Sequence, residues 1–258
     1  MTFALEFPPI SHLVEWTDIG LDGSLFALNK IVLIYLLAVV ATLGLFVLAG
    51  RRTQLVPTGA QNVVEASLDF IDNGIILQTI GPEGLHKRWL QPFLTSVFFF
   101  VLFCNITEVI PFLQMPANAR MAMPMALALL VWVLFNGVGV LNQGLGGYLK
   151  SSLFPPGVPK ALYLLVTPIE FVSTFLVRPF SLAVRLFANM LAGHILLVTF
   201  AVLSAALWVK AWYAAFLPLP ALMLIFLTAF EILVAFLQAY IFTILAAVYI
   251  GGAMHPEH

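Results

Sequence analysis

Charge is what this sequence has least of. Lys, Arg, Asp and Glu make up 9% of its 258 residues, against roughly 25% in a soluble domain. Hydrophobic residues make up 62%, and the mean hydropathy is +1.06. With 11 basic and 12 acidic side chains, a globule of this length cannot cover so much apolar surface, so the chain reads as an integral membrane protein. A net charge of −1 leaves no basic face for nucleic acid. Cys104 is the lone cysteine, which excludes an internal disulfide. Its setting, SVFFFVLFCNI, suits a small buried hydrophobe.

Other absences remove whole function classes. Residues 1–29 contain no Lys or Arg but hold Glu6, Glu15, Asp18 and Asp22. The basic start of a secretory signal is missing, and the acidic stretch fits an external N-terminal segment. Aspartate stops at Asp72, which excludes an intramembrane aspartyl protease. There is no H-E-x-x-H and no G-x-S-x-G. The run GVLNQGLG (139–146) spaces two glycines like a phosphate loop but lacks the Lys-Ser/Thr that completes one. No internal repeat points to a transporter of duplicated halves. No metal site, cofactor or catalytic residue is expected.

What is present is long apolar sequence. Runs near the ~20 residues that span a bilayer occur at about 31–49, 93–113 and 124–141, followed by two longer ones at about 162–209 and 213–252. Arg51, Arg52, Lys87 and Arg88 mark one inner loop, and Lys150 and Lys160 mark another. The expected protein is a single all-α membrane domain over 1–258 with about five passes, its N-terminus outside and its C-terminus in the cytoplasm of a plasma membrane. The first span covers 30–50 and the second and third 90–141. Over 57–85, Val63, Val64, Leu68, Ile71 and Ile75 recur at helical spacing, with Glu65, Asp69 and Asp72 elsewhere on the wheel. That is an amphipathic helix for the inner surface. The Gly- and Pro-rich stretch 142–160 reads as an inner loop. The remainder, 161–252, is expected to be a hairpin of two helices too long for a ~30 Å hydrocarbon layer, set steeply oblique or bent.

Into that hairpin the sequence places its unusual polar residues. Arg178, Ser181, Arg185, Asn189 and Ala192 stand at steps of 3, 4, 4 and 3, one stripe on one face. His194 is nine residues beyond Arg185, about 180° away. Glu231 and Gln238, seven apart, share a face of the last run. A charge at mid-bilayer costs about 3 kcal/mol, so these groups answer to something. Arginine holds its proton in proteins and cannot relay one. It can hold a carboxylate ionised or repel a cation. Histidine and glutamate can relay protons, and His194 with Glu231 reads as a pair in a proton-accessible cavity. Asn189 and Gln238 can hydrogen-bond to a carboxylate or to the arginine. Arg178 fits a side chain snorkelling to the inner surface, Glu170 an interface or helix-start charge, and Glu108, in NITEVIP, an interface residue. A purely structural scaffold does not explain polar groups on opposite faces of one helix. A self-contained channel would be expected to carry its own carboxylate for Arg185.

The segments RPFSLAVRLFANMLAGHILL (178–197) and FEILVAFLQAYIFTILAAVYI (230–250), with CNITEVIP (104–111), resemble subunit a of the F-type ATP synthases. The likeness covers roughly four-fifths of the chain. It implies a proton-translocating stator subunit, with no ATP site of its own, that presents two half-channels to the carboxylates of a rotating c-ring. Arg185 would be the essential arginine, and Asn189 and Gln238 its neighbours at the ring. His194 and Glu231 would be the polar pair of the outer half-channel, exchanged in position relative to many bacterial members. Glu170 would line the inner half-channel. Ala188 stands where the family usually has glycine. The implied partners are the c-ring, the b subunits of the peripheral stalk, membrane lipid and the transported proton.

Overall fold

A computed structural model describes residues 29–50, 59–110, 113, 116–154, 158–159, 162–208 and 212–254. The acidic segment 1–28, Arg51, Arg52 and Lys160 lie outside these described residues. Six main helices carry the fold: α1 (Lys30–Gly50), α2 (Ala60–Ile71), α3 (Leu90–Ile106), α4 (Ala122–Leu153), α5 (Tyr163–Ala206) and α6 (Pro218–Met254). There is no strand among the described residues. Lipid offers the backbone no hydrogen bonds, so apolar runs must satisfy their own amides, and helices do so. Four helices are long and apolar enough to cross a membrane, and α3 is a shorter apolar helix. The chain is an all-α, multi-pass membrane protein.

Local chemistry sets the ends. Asn29 caps α1, its Oδ1 accepting the Val32 N–H at 3.0 Å. Pro218 and Pro220 fall in the first turn of α6, where a missing N–H costs nothing. Hydroxyls inside apolar helices are satisfied by the preceding turn: Thr42, Thr95 and Thr243 each donate to the carbonyl four residues back at 2.7–2.8 Å. The core lies where α3, α4, α5 and α6 meet, around Leu94, Phe135, Leu186, Phe242 and Ile250. Outward faces remain apolar, with Leu164 88% exposed, as a lipid-facing surface requires. At 1.5 Å per residue α5 is about 66 Å long and α6 about 55 Å, well beyond the ~30 Å hydrocarbon layer.

Two expectations need correction. Residues 142–160 are not simply a loop, because α4 runs to Leu153 and breaks only at Gly144 (φ 73°, ψ 159°). That backbone conformation is open to glycine alone. Beyond the break the helix doubles back: the Tyr148 ring sits against Gly139, and its hydroxyl donates to Asn136 Oδ1 at 2.9 Å. Gln143 clamps both sides of the turn, accepting from Ser151 Oγ at 2.7 Å and donating to the Ala253 carbonyl at 3.0 Å. These contacts offset the low helix propensity of the glycines.

The second correction concerns α2 and the residues after it. Val64, Ile71 and Ile75 are buried as expected, but Val63 is exposed and Asp72 is half-buried. The helix widens into a π turn over Asp72–Ile76, which breaks the 100° count on which the wheel rests. Asp72, the first residue of that turn, faces α3, one oxygen accepting from Gln91 Nε2 and the other without a partner. Burial raises its carboxyl above the ordinary value, the Gln91 bond opposes this, and Asp69 adds to it. A raised carboxyl pKa makes ionisation costly to the folded state. That cost is absent below the ordinary carboxylate range and grows as pH rises through and above it. Asp72→Asn is therefore expected to be more thermally stable than the parent at pH 8. The gap should close as the pH falls toward 4, as read by thermal melts across that range.

Candidate functional site

The stripe on α5 faces outward. Ser181, Arg185, Ala188, Asn189 and Ala192 are exposed, while Leu182, Leu186, Met190, Gly193 and His194 are buried on the opposite side. Arg185 has no ion pair or hydrogen bond with any described residue. Its neighbour one turn on, Asn189, donates through Nδ2 to Gln238 Oε1 at 3.4 Å. This bond joins α5 to α6. Gln238 is buried and its Nε2 lacks a partner. Arg178 is half-buried at the N-terminal end of the stripe, its guanidinium 5.4 Å from the Tyr249 ring centroid. It is stacked on α6 as a cation–π pair, not merely reaching for the surface.

Behind the stripe lies a polar pocket inside the protein. His194 is buried and Glu231 is buried against Gly193, which places them on adjoining helices. The acid nearest the imidazole is, however, Glu108: Nδ1 to Oε1, 3.4 Å, an ion pair when the histidine is protonated. The contact is close enough for charge pairing but short of hydrogen-bond geometry. A cavity of about 10 Å³ is bounded by Asn105, Glu108, Asn189, Glu231 and Gln238 among others, room for about one water. Glu170 lies far from it, half-buried near the start of α5, fifteen residues and about 22 Å of helix from Arg185. No group of three or more metal-ligating side chains occurs among the described residues.

Glu108 is the residue that sequence reasoning passed over. It is 5% exposed, in the turn after α3, and faces both His194 and the Glu231 cavity. A signal was available: Glu108 is the sole acid between Glu83 and Glu170. What a helical wheel cannot supply is the tertiary fold that aims it at α5. A second set of polar groups continues from the cavity. Asn118 Nδ2 donates to Asn105 Oδ1 at 2.8 Å, and the Tyr35 hydroxyl donates to the Ala117 carbonyl at 2.6 Å. Tyr35 in turn lines a wider cavity of about 360 Å³ with Asn29 and Arg120. Polar side chains thus lead from a cavity at the N-terminal end of α1 to the carboxylates of Glu108, after α3, and Glu231, on α6.

Comparison with known proteins gives one answer. A profile of the family described as ATP synthase A chain matches residues 31–251. "ATP synthase subunit a" of Rhodococcus erythropolis is 46% identical over 234 residues, covering 90% of this chain and 84% of its own. The protein of that name from Frankia alni is 43% identical, covering 95% and 84% respectively. That from Hyphomonas neptunium is 37% identical, covering 98% of each.

The seat of Glu231 on Gly193 is testable by itself. A Cβ on Gly193 would fall 2.7 Å from Glu231 Cδ, closer than real Cβ contacts. Because the Cβ meets only the end of a flexible side chain, Gly193→Ala is expected to displace the Glu231 carboxyl and destabilise the protein by at most about 1 kcal/mol, the low end of overpacking. Shortening the partner with Glu231→Ala in the same chain should return part of that loss. Thermal melts of the two variants against the parent provide the check.

Proposed function

The chain belongs to the ATP synthase A chain family, and from that premise we propose that it is the stator half of the proton path in a rotary F-type synthase. Its partner across α5 is a ring of c subunits carrying a mid-membrane carboxylate, and the b subunits of a peripheral stalk hold it in place. It sits in the plasma membrane with its N-terminus outside and its C-terminus in the cytoplasm. The observation that carries this reading is Arg185: exposed on a lipid-depth helix, and without a counter-charge among the described residues of its own chain.

The chemistry follows from the residue types. A proton enters from the outer side along the polar groups Tyr35, Asn118 and Asn105. It passes the Glu108–His194 pair and Glu231, groups that can gain and release it. It then neutralises a ring carboxylate, which in its neutral form can enter lipid, and the ring turns. After nearly a full turn the acid reaches the inner half-channel near Glu170 and loses its proton. The returning carboxylate meets Arg185, attracted by about 4 kcal/mol at 4 Å for an effective dielectric of 20. Because the guanidinium keeps its own protons, it separates the two half-channels without conducting between them. Asn189 and Gln238 fix the groove beside it. Each proton that crosses yields about 2.3 kcal/mol per 100 mV.

Arg185→Ala is expected to abolish proton-driven ATP synthesis in reconstituted vesicles while the complex still assembles. Synthesis at a near-native rate would overturn the reading. Glu108→Gln keeps the shape of the side chain but removes its titration, and is expected to slow proton-driven synthesis at least tenfold. A rate within twofold of the parent would take Glu108 off the path.

A further inference from the structure

The helix that carries Arg185 changes its winding once, at Ser173–Val177. There the Arg178 N–H donates to the Ser173 carbonyl, five residues back instead of four. A π turn of this kind holds one residue more than an α turn. Everything before it is therefore rotated by about 100° relative to a simple residue count. Glu170 is the only acidic residue of α5, half-buried and without an ion pair among the described residues. Eight regular α steps would set it about 80° from Arg178. With the extra residue absorbed, eight positions count as seven steps, and the angle falls to about 20°. Relative to Arg185, fifteen positions count as fourteen, about 40° instead of about 60°.

The surroundings explain why the turn sits where it does. Pro179 follows two residues after its last member; it has no N–H to donate and its ring crowds the carbonyl of the preceding turn. On the protein side the π turn is held by Thr174, which is buried, and by Phe175, whose ring lies edge-on to Trp132 of α4 at 6.5 Å. Leu176 and Val177 are exposed. The residue in excess is thus on the lipid side, where it packs against nothing in the core.

We propose that the π turn Ser173–Val177 is a register device for the ion path: it sets Glu170 on the same stripe as Arg178 and Arg185. This rests on the proposed role of the chain as a proton-path stator. The carboxylate near the start of α5 and the arginine at its middle then lie along one line of the helix, half-buried at Glu170 and exposed at Arg185, in register for one ring acid to be passed between them.

The test is a set of length variants in membrane vesicles that contain the assembled synthase. Deleting Val177 makes Ser173 the fourth residue back from Arg178, so the same hydrogen bond closes an ordinary α turn and the stripe is preserved. At least a third of the parental rate of proton-driven ATP synthesis should remain. Inserting one Ala after Leu176 turns Glu170 away by about another 100° and should lower the rate at least tenfold in an assembled complex. Glu170→Gln should lower it several-fold. A second deletion variant that also carries Pro179→Ala removes any clash between the proline and the tightened turn. The proposal is overturned if both deletion variants fall as far as the insertion or fail to assemble. It is equally overturned if the insertion is harmless, or if Glu170→Gln stays within twofold of the parent. Arg185→Ala in the same vesicles separates the two ideas. If that variant keeps synthesising ATP, the functional reading fails; if it is dead while the deletions are also dead, only the register device does.

Discussion

An ionisable group at membrane depth must be answered by another group, and this fold is organised around how each one is answered. His194 is met by Glu108 within the chain, 3.4 Å away. Arg178 is met by the face of Tyr249. Glu231 is packed on Gly193 beside a cavity the size of one water. Arg185 is met by nothing described in its own chain. The desolvation of a charge is too expensive to leave uncompensated in lipid, and this is the ground on which a carboxylate from a partner is proposed for it. On α5 the partnered His194 faces inward and the unpartnered Arg185 faces outward, on opposite sides of the helix.

The same constraint shapes the neutral polar groups. The buried hydroxyls of Thr42, Thr95 and Thr243 fold back onto their own helices, which satisfies them without linking anything. Asn105, Asn118, Asn189 and Gln238 instead reach other segments. The amides therefore do the cross-linking and mark where polar continuity exists between helices. Their two bonds flank the Glu108–Glu231 cavity, one toward the α1 side and one toward the stripe of Arg185.

Much of this was legible in the sequence, for a physical reason. Apolar runs must become helices in lipid, so the passes and the excess length of the last two helices followed from counting. The outward stripe on α5 could also be read, because 178 to 206 winds regularly. The errors came where regular winding fails or where two helices meet. Val63 was misplaced because it stands about 100° from the buried Val64 on a narrow face, and Asp72 because Gln91 of α3 meets it from a neighbouring helix. Residues 142–153 read as loop because Gly144, Gly146 and Gly147 are poor helix formers, yet the first of them supplies the positive φ that lets the chain reverse, and Tyr148 fastens the result. Glu108 was undervalued because nothing in its local segment says that α5 will bring a histidine to it. Periodicity gives the azimuth of a residue on its own helix and is silent about the neighbour.

The reversal at Gly144 also has a mechanical side. The last carbonyls of any helix lack partners within it, and such an end frays. At the end of α6 the Ala253 carbonyl is taken by Gln143, which is itself tied to Ser151 across the bend. The final turn of α6 thereby gains a foot on α4. A wall of two long helices that bears a sideways push must pass the load on or yield at its free edge, and this brace lets α4 share the thrust.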